Sequence, residues 1–421
     1  MNDTIMPFTS TEAERLKKRS IDQLSRRIVF KLLKQIKVGQ ITLIDEQANR
    51  HTFGASSGPS ALTAVLHVHH PHTYTRTVFA GSIGTSEAFM AGLWSTDRLT
   101  DLIRIIILNQ HLFKDLDRGW MRLTEPLYKF YHFLRRNTPS GSRENIVAHY
   151  DLGNEFYQLF LDETMTYSAG IFEHPESTLK AASIAKYDRI CKKLNLSSTD
   201  HVLEIGTGWG GFALHAARNY GCLVTTTTIS GHQYAMARQR IEEAGLKDRI
   251  TLLKKDYRHL EGSYDKLVSI EMIEAVGHHY LGAFFKKCGD LLRDGGLMLL
   301  QAITIKDQAY DQHRRSVDFI KRYIFPGSCI PSMAAMIRAV TDKTDMNLCH
   351  MEDITRHYVR TLAEWRKRFF QNIAEVRRLG FSEAFIRMWE YYLCYCEAGF
   401  AERHIGNVQM LLAKPGFRFT S

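Results

Sequence analysis

The residues able to do chemistry fall into two groups. The first is a run of glycines. Gly206, Gly208, Gly210 and Gly211 follow Leu203, Glu204 and Ile205 in the stretch HVLEIGTGWGGFA at 201–213. Without a Cβ, such a backbone turns tightly and lets a ligand come close. The second group is polar and acidic residues standing at the ends of apolar runs: Thr228 to Gln233, Asp256 with Tyr257, Glu271 to Glu274, and Gln301 to Ile303. Apolar run, glycine turn and helical pattern together make a nucleotide-binding turn. The spacing Gly206-x-Gly208-x-x-Gly211 satisfies the dinucleotide fingerprint, but that fingerprint also requires an acid about 20 residues on, at the end of the second strand. Here the second strand, Cys222 to Ile229, runs into Thr228, Ser230 and Gln233, with no carboxylate. The acid lies inside the first strand, at Glu204. A sulfonium cofactor needs no pyrophosphate cradle, and nearby carboxylates suit its charge. The turn therefore reads as a site for S-adenosylmethionine (SAM) rather than NAD.

The elements that must position these residues form an α/β alternation. Strands are predicted at Val202–Ile205, Cys222–Ile229, Ile250–Tyr257, Leu267–Glu271 and Leu297–Ile305, with helices between them. Ligands in such sheets bind beyond the carboxyl ends of the strands, which collects the polar groups above on one rim. Upstream, helices are predicted from Asn154 to Leu161 and from Thr178 to Leu194, with Thr166, Tyr167 and Ser168 in a turn between them.

Before residue 140 the pattern changes. Residues 11–36 place Leu16, Ile21, Leu24, Ile28, Leu32 and Ile36 at near-helical spacing among Lys and Arg. Such a basic amphipathic helix either lies on an anionic membrane or packs its apolar stripe on its own domain. Strand-like runs follow at Gln40–Asp45, Ala64–His69 and Thr73–Phe79, with a Gly/Ser turn at Gly54–Pro59. His67, His69, His70 and His72 cluster here without supporting Cys or carboxylates, so no metal is assigned. The stretch 81–107 reads as glycine punctuation followed by a helix capped near Ser95 to Asp97. Asn137 to Ser142 is the best linker signal in the chain. The division expected is into domains 1–140 and 141–421.

The 421 residues carry a net charge of +10, which favours an anionic partner, nucleic acid or lipid surface. The longest apolar candidate, Leu102 to Leu108, is far shorter than a membrane span and is interrupted by Arg104. The N-terminus has no apolar core before its charges, and the seven cysteines are unevenly spaced. Both features fit reduced thiols and a cytoplasmic location. A nucleic-acid amino-methyltransferase would carry an Asn/Asp-Pro-Pro-aromatic signature, whereas residues 269–277 read SIEMIEAVG. No nucleic-acid partner is therefore expected.

The ordered set AHYDLGNEFY (148–157), MTYS (165–168), VLEIGTGWGG (202–211), TISGHQ (228–233), DYR (256–258), SIEMIEAVG (269–277), RYIFPGSCIPS (322–332) and YYLCYCEAGF (391–400) resembles the SAM-dependent cyclopropane-fatty-acid and mycolic-acid cyclopropane synthases. The resemblance implies that 141–421 is the catalytic domain, a Rossmann-like class I methyltransferase fold with a mixed seven-stranded sheet and an acyl pocket under a helical insertion at about 306–400, that 1–140 is a lipid- or membrane-binding domain, and that subunits pair. It also implies the reaction. The cis double bond of a phospholipid acyl chain attacks the SAM methyl, a carbocation forms, a proton leaves the new methyl, and a cyclopropane closes. The partners implied are an anionic phospholipid surface, met from the inner face of the cytoplasmic membrane, and its unsaturated acyl chains. Residue by residue, SAM falls to Tyr167, Ser168, Leu203, Glu204, Gly206, Gly208, Trp209, Gly210, Gly211, Thr228, Ile229, Ser230, Gln233, Asp256 and Tyr257. Glu274, Tyr358, Ile303 and the position of Gln301 match the groups that hold a bicarbonate ion, the family's proton acceptor. Cys396 matches the cysteine marked as the active-site residue of bacterial members, although a thiol nucleophile has nothing to do in this mechanism. Three positions depart from the family: Ala169 for cysteine, Ala275 for histidine and Gln301 for histidine. Glutamine hydrogen-bonds an anion but carries no charge and moves no proton. Methyl transfer is thus implied, with a ring, a branch or a methylene group as alternative products.

Overall fold

The computed structural model describes residues 12–55, 62–113 and 152–418. The anticipated linker at 137–142, the boundary at 140 and most of the 54–59 turn lie outside the described residues. The chain forms two compact units, Met1–Pro126 with Glu383–Tyr391, and Leu127–Ser382 with Tyr392–Ser421.

The N-terminal unit is a four-stranded sheet in the order β2-β1-β3-β4, from β1 (Gly39–Ile44), β2 (Arg50–Ala55), β3 (Thr63–Val68) and β4 (Trp94–Thr96). β1 pairs antiparallel with β2 and parallel with β3. Its alternate residues Ile41 and Leu43 are buried, the period-two pattern of a one-sided strand. Helices run over Glu12–Leu33, His72–Met90 and Leu99–Leu108.

Three expectations change here. Thr73–Phe79 is helix, not strand, because Tyr74 and Val78, four residues apart, both face inward and Pro71 supplies a helical φ of −63° at the start. That helix runs on through the supposed glycine punctuation and is interrupted only at Gly81 (φ 55°, ψ −137°). Ser95 belongs to β4, and Asp97 caps no helix but accepts the Val65 amide at 2.8 Å. In the first helix, Ile21 and Leu24 are 38% and 59% exposed, while Asp22, Ser25 and Leu33 are buried, as is Ile36 just beyond its end. Polar pairs help dock it: the Thr75 hydroxyl donates to Asp22, and Arg26 binds Asp45 at 2.7 Å.

The larger unit holds a seven-stranded sheet in the order β10-β11-β9-β8-β5-β6-β7. Its strands are β5 (His201–Ile205), β6 (Leu223–Thr227), β7 (Ile250–Leu253), β8 (Tyr264–Ile270), β9 (Leu292–Ile305), β10 (Asn347–Asp353) and β11 (Ile405–Ala413). β5 to β9 are parallel, and β11 runs antiparallel to both β9 and β10. The sheet is therefore mixed. The central strands are buried on both faces, hence their continuous apolar runs. Leu203, Ile205, Leu267 and Leu300 pack with Phe284 and Phe285 on one face. Val202, Val224, Val268 and Leu299 pack with Ile190, Phe212 and Ala216 on the other.

The region 306–400 is mostly helical but contains β10, which the sequence pattern alone does not reveal. Met346, just before it, is buried, but every residue of β10 is half-buried or exposed, so it lacks an apolar run. The helix expected from Thr178 to Leu194 holds, with Thr178 capping Leu179–Lys193 by accepting the Ala181 amide at 3.1 Å, while the helix expected from Asn154 to Leu161 ends at Gln158. No described helix is long and apolar enough to cross a membrane.

Candidate active site

The glycine loop leaves β5 with Gly206, Gly208 and Gly210 at φ 104°, 53° and 86°, conformations that side chains resist. The amides of Gly206 and Thr207 both donate to the Thr227 carbonyl on β6, at 3.1 and 3.0 Å, which pins the loop to its neighbour. At Gly211 a Cβ would lie 2.4 Å from the Tyr187 hydroxyl and 3.0 Å from the Thr164 carbonyl, so only glycine fits. At Gly208 a Cβ would meet nothing within 4 Å, so the loop faces open space on that side. A tight glycine loop at a strand's carboxyl end, open above, fits a nucleoside cofactor.

The other residues assigned to SAM fall around this loop in different roles. Leu203 lies in the core. Glu204 is buried under the loop and accepts the Thr226 hydroxyl at 2.5 Å; burial pushes its carboxyl up to about 8. Trp209 donates its indole N–H to Asn154 Oδ1 at 2.7 Å and lies 5.0 Å from the Tyr157 ring, so it packs the loop against the Asn154–Gln158 helix. Thr228 donates to Gln233 Oε1 at 2.9 Å and accepts from the Ser230 amide at 3.1 Å, and Ser230 caps the next helix, with half-buried Ile229 between them. Burial works against ionisation of Asp256, yet the Arg258 guanidinium, at 2.6 and 2.9 Å, holds its carboxyl below the usual range. Tyr257 packs edge-on against Phe284 at 5.5 Å. The Tyr167 and Tyr392 hydroxyls meet at 2.9 Å.

Two residues not anticipated also support this region. Lys186, fully buried, donates to Ser168 Oγ at 2.6 Å, and burial brings its ammonium down to about 8. Arg240 donates to the carbonyls of Trp209 and Thr164 at 2.7 and 3.0 Å, tying the glycine loop to the Thr166 turn. Neither has a local sequence signal; each is a polar residue on an otherwise ordinary helix.

The acids gather at the ends of β8 and β9. Glu271, directly after β8, has a left-handed φ of 48°. Its Oε1 accepts from Asn407 Nδ2 (2.6 Å), Gln301 Nε2 (2.8 Å) and the Ala169 amide (3.1 Å), and its Oε2 accepts from the Tyr358 hydroxyl (2.7 Å). Glu274 Oε1 accepts the Ile303 amide at 2.5 Å, while its buried Oε2 has no partner among the described residues. Burial first, and then the negative charge of Glu271, push the Glu274 carboxyl up to about 8. Gln301 is fully buried, its Oε1 accepting from Gln409 Nε2 at 3.0 Å. Sequence reasoning places Glu271 on this rim but gives it no role. The available signal was an acid directly after a buried strand at the ligand end of the sheet.

Aromatic rings stand beside the acids. Tyr358 stacks on Phe400 at 4.4 Å and meets Trp365 edge-on at 6.1 Å; Tyr167 lies 5.2 Å from Trp365. The Trp365 indole N–H is buried without a partner among the described residues. Burial pushes the Cys396 thiol far above its ordinary value, so at neutral pH it is a thiol and not a nucleophile. Among the described residues, no cluster of three or more His, Cys, Asp or Glu could hold a metal.

A mixed seven-stranded sheet with a glycine turn after its central strand and polar groups along the carboxyl rim defines a class I SAM-dependent methyltransferase. The chain belongs to the mycolic acid cyclopropane synthetase family, whose family model matches residues 138–410. It is 37% identical over 363 residues to tuberculostearic acid methyltransferase UfaA1 of Mycobacterium tuberculosis, covering 83% of each chain. It is 35% identical over 364 residues to the cyclopropane-fatty-acyl-phospholipid synthase of Escherichia coli, covering 83% of this chain and 88% of that one. Among solved structures, the cyclopropane synthase MmaA2 of Mycobacterium tuberculosis matches with a TM-score of 0.61 at 30% identity, over 65% of this chain and 98% of that one. Mycolic acid cyclopropane synthase CmaA1, complexed with SAH and CTAB, matches with the same TM-score, identity and coverage. The protein is a SAM-dependent enzyme that transfers a one-carbon unit to lipid acyl chains.

Proposed function

We propose that this protein transfers the SAM methyl carbon to the cis double bond of an unsaturated phospholipid acyl chain and closes it to a cyclopropane, working at an anionic membrane surface. The observation that carries the reading is the pairing of buried acids with an aromatic wall beside the glycine loop. SAM supplies an electrophilic methyl on a positively charged sulfur. An alkene is a weak nucleophile, so the chain must hold the double bond in line with that methyl. The rings of Tyr167, Trp365, Tyr358 and Phe400 suit the positive charge that develops on the acyl carbon. They also exclude water, which would capture the cation. Burial and the charge of Glu271 push the Glu274 carboxyl up to about 8, while Tyr358 and Gln301 both donate to the oxygens of Glu271.

A second reading, transfer that ends in a methyl-branched or methylene-bearing chain, is favoured by two observations. The relative UfaA1 is a tuberculostearic acid methyltransferase, and neutral Gln301 stands where the family has histidine. Product analysis separates the two. Purified protein, SAM and vesicles of unsaturated anionic phospholipid are incubated, and the fatty acids are identified by mass spectrometry. A product one CH2 heavier, with a ring shown by fragmentation, supports the first reading. An isomeric methylene product, or a methyl-branched chain that keeps its unsaturation, supports the second. No transfer to any unsaturated lipid overturns both.

A further inference from the structure

The groups assigned by resemblance to a bicarbonate ion are already occupied. Tyr358 and Gln301 donate to Glu271, at 2.7 and 2.8 Å, and the Ile303 amide donates to Glu274 at 2.5 Å. The fourth assigned residue, Glu274, is an acid whose Oε1 already takes the Ile303 amide. The Ala169 amide and the Asn407 side chain complete the shell of Glu271 at 3.1 and 2.6 Å. Donors from four separate segments thus converge on one carboxylate. Two of the four come from side chains that the resemblance gives to the ion.

Nothing in the local fold asks for an acid here. Glu271 sits at φ 48°, where a side chain is disfavoured and glycine would be relaxed, and such strain persists where the surroundings hold it. A carboxylate and a bicarbonate ion share a planar, two-oxygen face, so the same donors serve either. With Glu271 in place, the Tyr358 and Gln301 donors are used and a further anion would sit against the Glu271 carboxylate.

We infer that the side-chain carboxylate of Glu271 takes the place of bicarbonate, so that this enzyme carries its own anion and proton acceptor and does not depend on dissolved bicarbonate. The inference rests on the acyl-transfer reading above. In the ring-closing step, the C–H electron pair of the transferred methyl forms the second new C–C bond to the cationic carbon. The proton passes to a Glu271 oxygen and from there to solvent. In the methylene outcome the same oxygen takes the proton and the C–H pair forms a C=C bond.

The test combines binding and turnover. Carbon-13 NMR of labelled bicarbonate with the SAH-loaded, unsubstituted protein is expected to show no bound ion. Glu271→Gly, which removes the carboxylate and relaxes the backbone, is expected to bind bicarbonate. Turnover of the unsubstituted enzyme in CO2-depleted buffer is expected to stay within twofold of that with added bicarbonate. Glu271→Gln is expected to lose about 10²-fold or more, the contribution of a positioned base. Glu271→Gly is expected to lose as much and to recover in part with bicarbonate or formate. SAH affinity, measured by calorimetry, reports whether each variant is folded. Bicarbonate bound to the unsubstituted protein, stimulation by bicarbonate beyond tenfold, or full activity of Glu271→Gln overturns the inference. Bicarbonate-dependent transfer would still uphold the acyl-transfer reading. Failure of all transfer would sink that reading, and the NMR result would decide this one by itself.

Discussion

Tyr358 contributes one hydrogen bond to a charged acceptor, its hydroxyl lying 2.7 Å from Glu271 Oε2. Such a bond is worth roughly 1.5–3 kcal/mol. Tyr358→Phe keeps the ring stack on Phe400 and removes only that donor. Transfer is expected to fall by about 10- to 100-fold with SAH affinity unchanged, as kinetics and calorimetry on the variant would show. Glu274 makes a prediction about pH. Its folded-state carboxyl keeps a proton up to about 8, against an ordinary carboxylate value of 4.5. Between those values the unfolded chain has already lost the proton that the folded chain retains. Stability is therefore lost as pH rises through that window, and the loss is complete above it. Glu274→Gln should melt with a flatter pH dependence between pH 5 and 9 than the unsubstituted protein, by scanning calorimetry on both. Glu204, pushed the same way, remains in both proteins and sets the residual slope.

At the scale of elements, the glycine loop is held from beneath as well as by its own turns. Gly211→Ala forces a methyl against the Tyr187 hydroxyl, which itself meets Thr166 Oγ1 at 2.5 Å. Overpacking of this kind costs about 1–3 kcal/mol, and the expected outcome is a lower melting temperature with weakened SAH binding. Ser230→Ala removes the cap of the Gly231–Glu243 helix at about 1 kcal/mol and leaves the Gln233 backbone amide without its acceptor, which should weaken SAH binding without changing bicarbonate sensitivity.

The same elements show what could be read in advance. β8 and β9 were legible because strands buried on both faces carry long apolar runs between turn residues, and β6, Leu223–Thr227, because its valine and threonines are β-branched. Thr73–Phe79 was misread because its threonines, valine and phenylalanine favour a strand locally, while packing of Tyr74 and Val78 on one side selects a helix. β10, largely half-exposed, offered no run to find. The role of Glu271 was hidden for a different reason. Its donors are Ala169, Gln301, Tyr358 and Asn407, up to 136 residues away, and no spacing in the sequence announces that they meet.

For the whole molecule, the net charge of +10 bears on the encounter with lipid. Attraction to anionic headgroups is screened within about 10 Å at 0.1 M salt. Co-sedimentation with anionic vesicles is expected to fall steeply as monovalent salt rises, and binding to zwitterionic vesicles to be weak throughout. The division into units has a separate outcome. MmaA2 is matched over 98% of its length by 65% of this chain, so that protein does without an equivalent of the remainder. Here, however, the N-terminal unit includes Glu383–Tyr391, the start of the Glu383–Ala401 helix. Within that unit Tyr391 meets the Phe89 ring at 5.7 Å, and Arg387 lies over the same ring at 6.0 Å. A fragment beginning at residue 127 keeps Tyr391 and Arg387 but loses Phe89, and is expected to express poorly or melt lower than the full chain. In genetic terms, the N-terminal unit is not a cassette. A single recombination after Pro126 would carry away only part of it, and a clean exchange between relatives needs two further crossovers some 250 residues downstream, one on each side of half a helix.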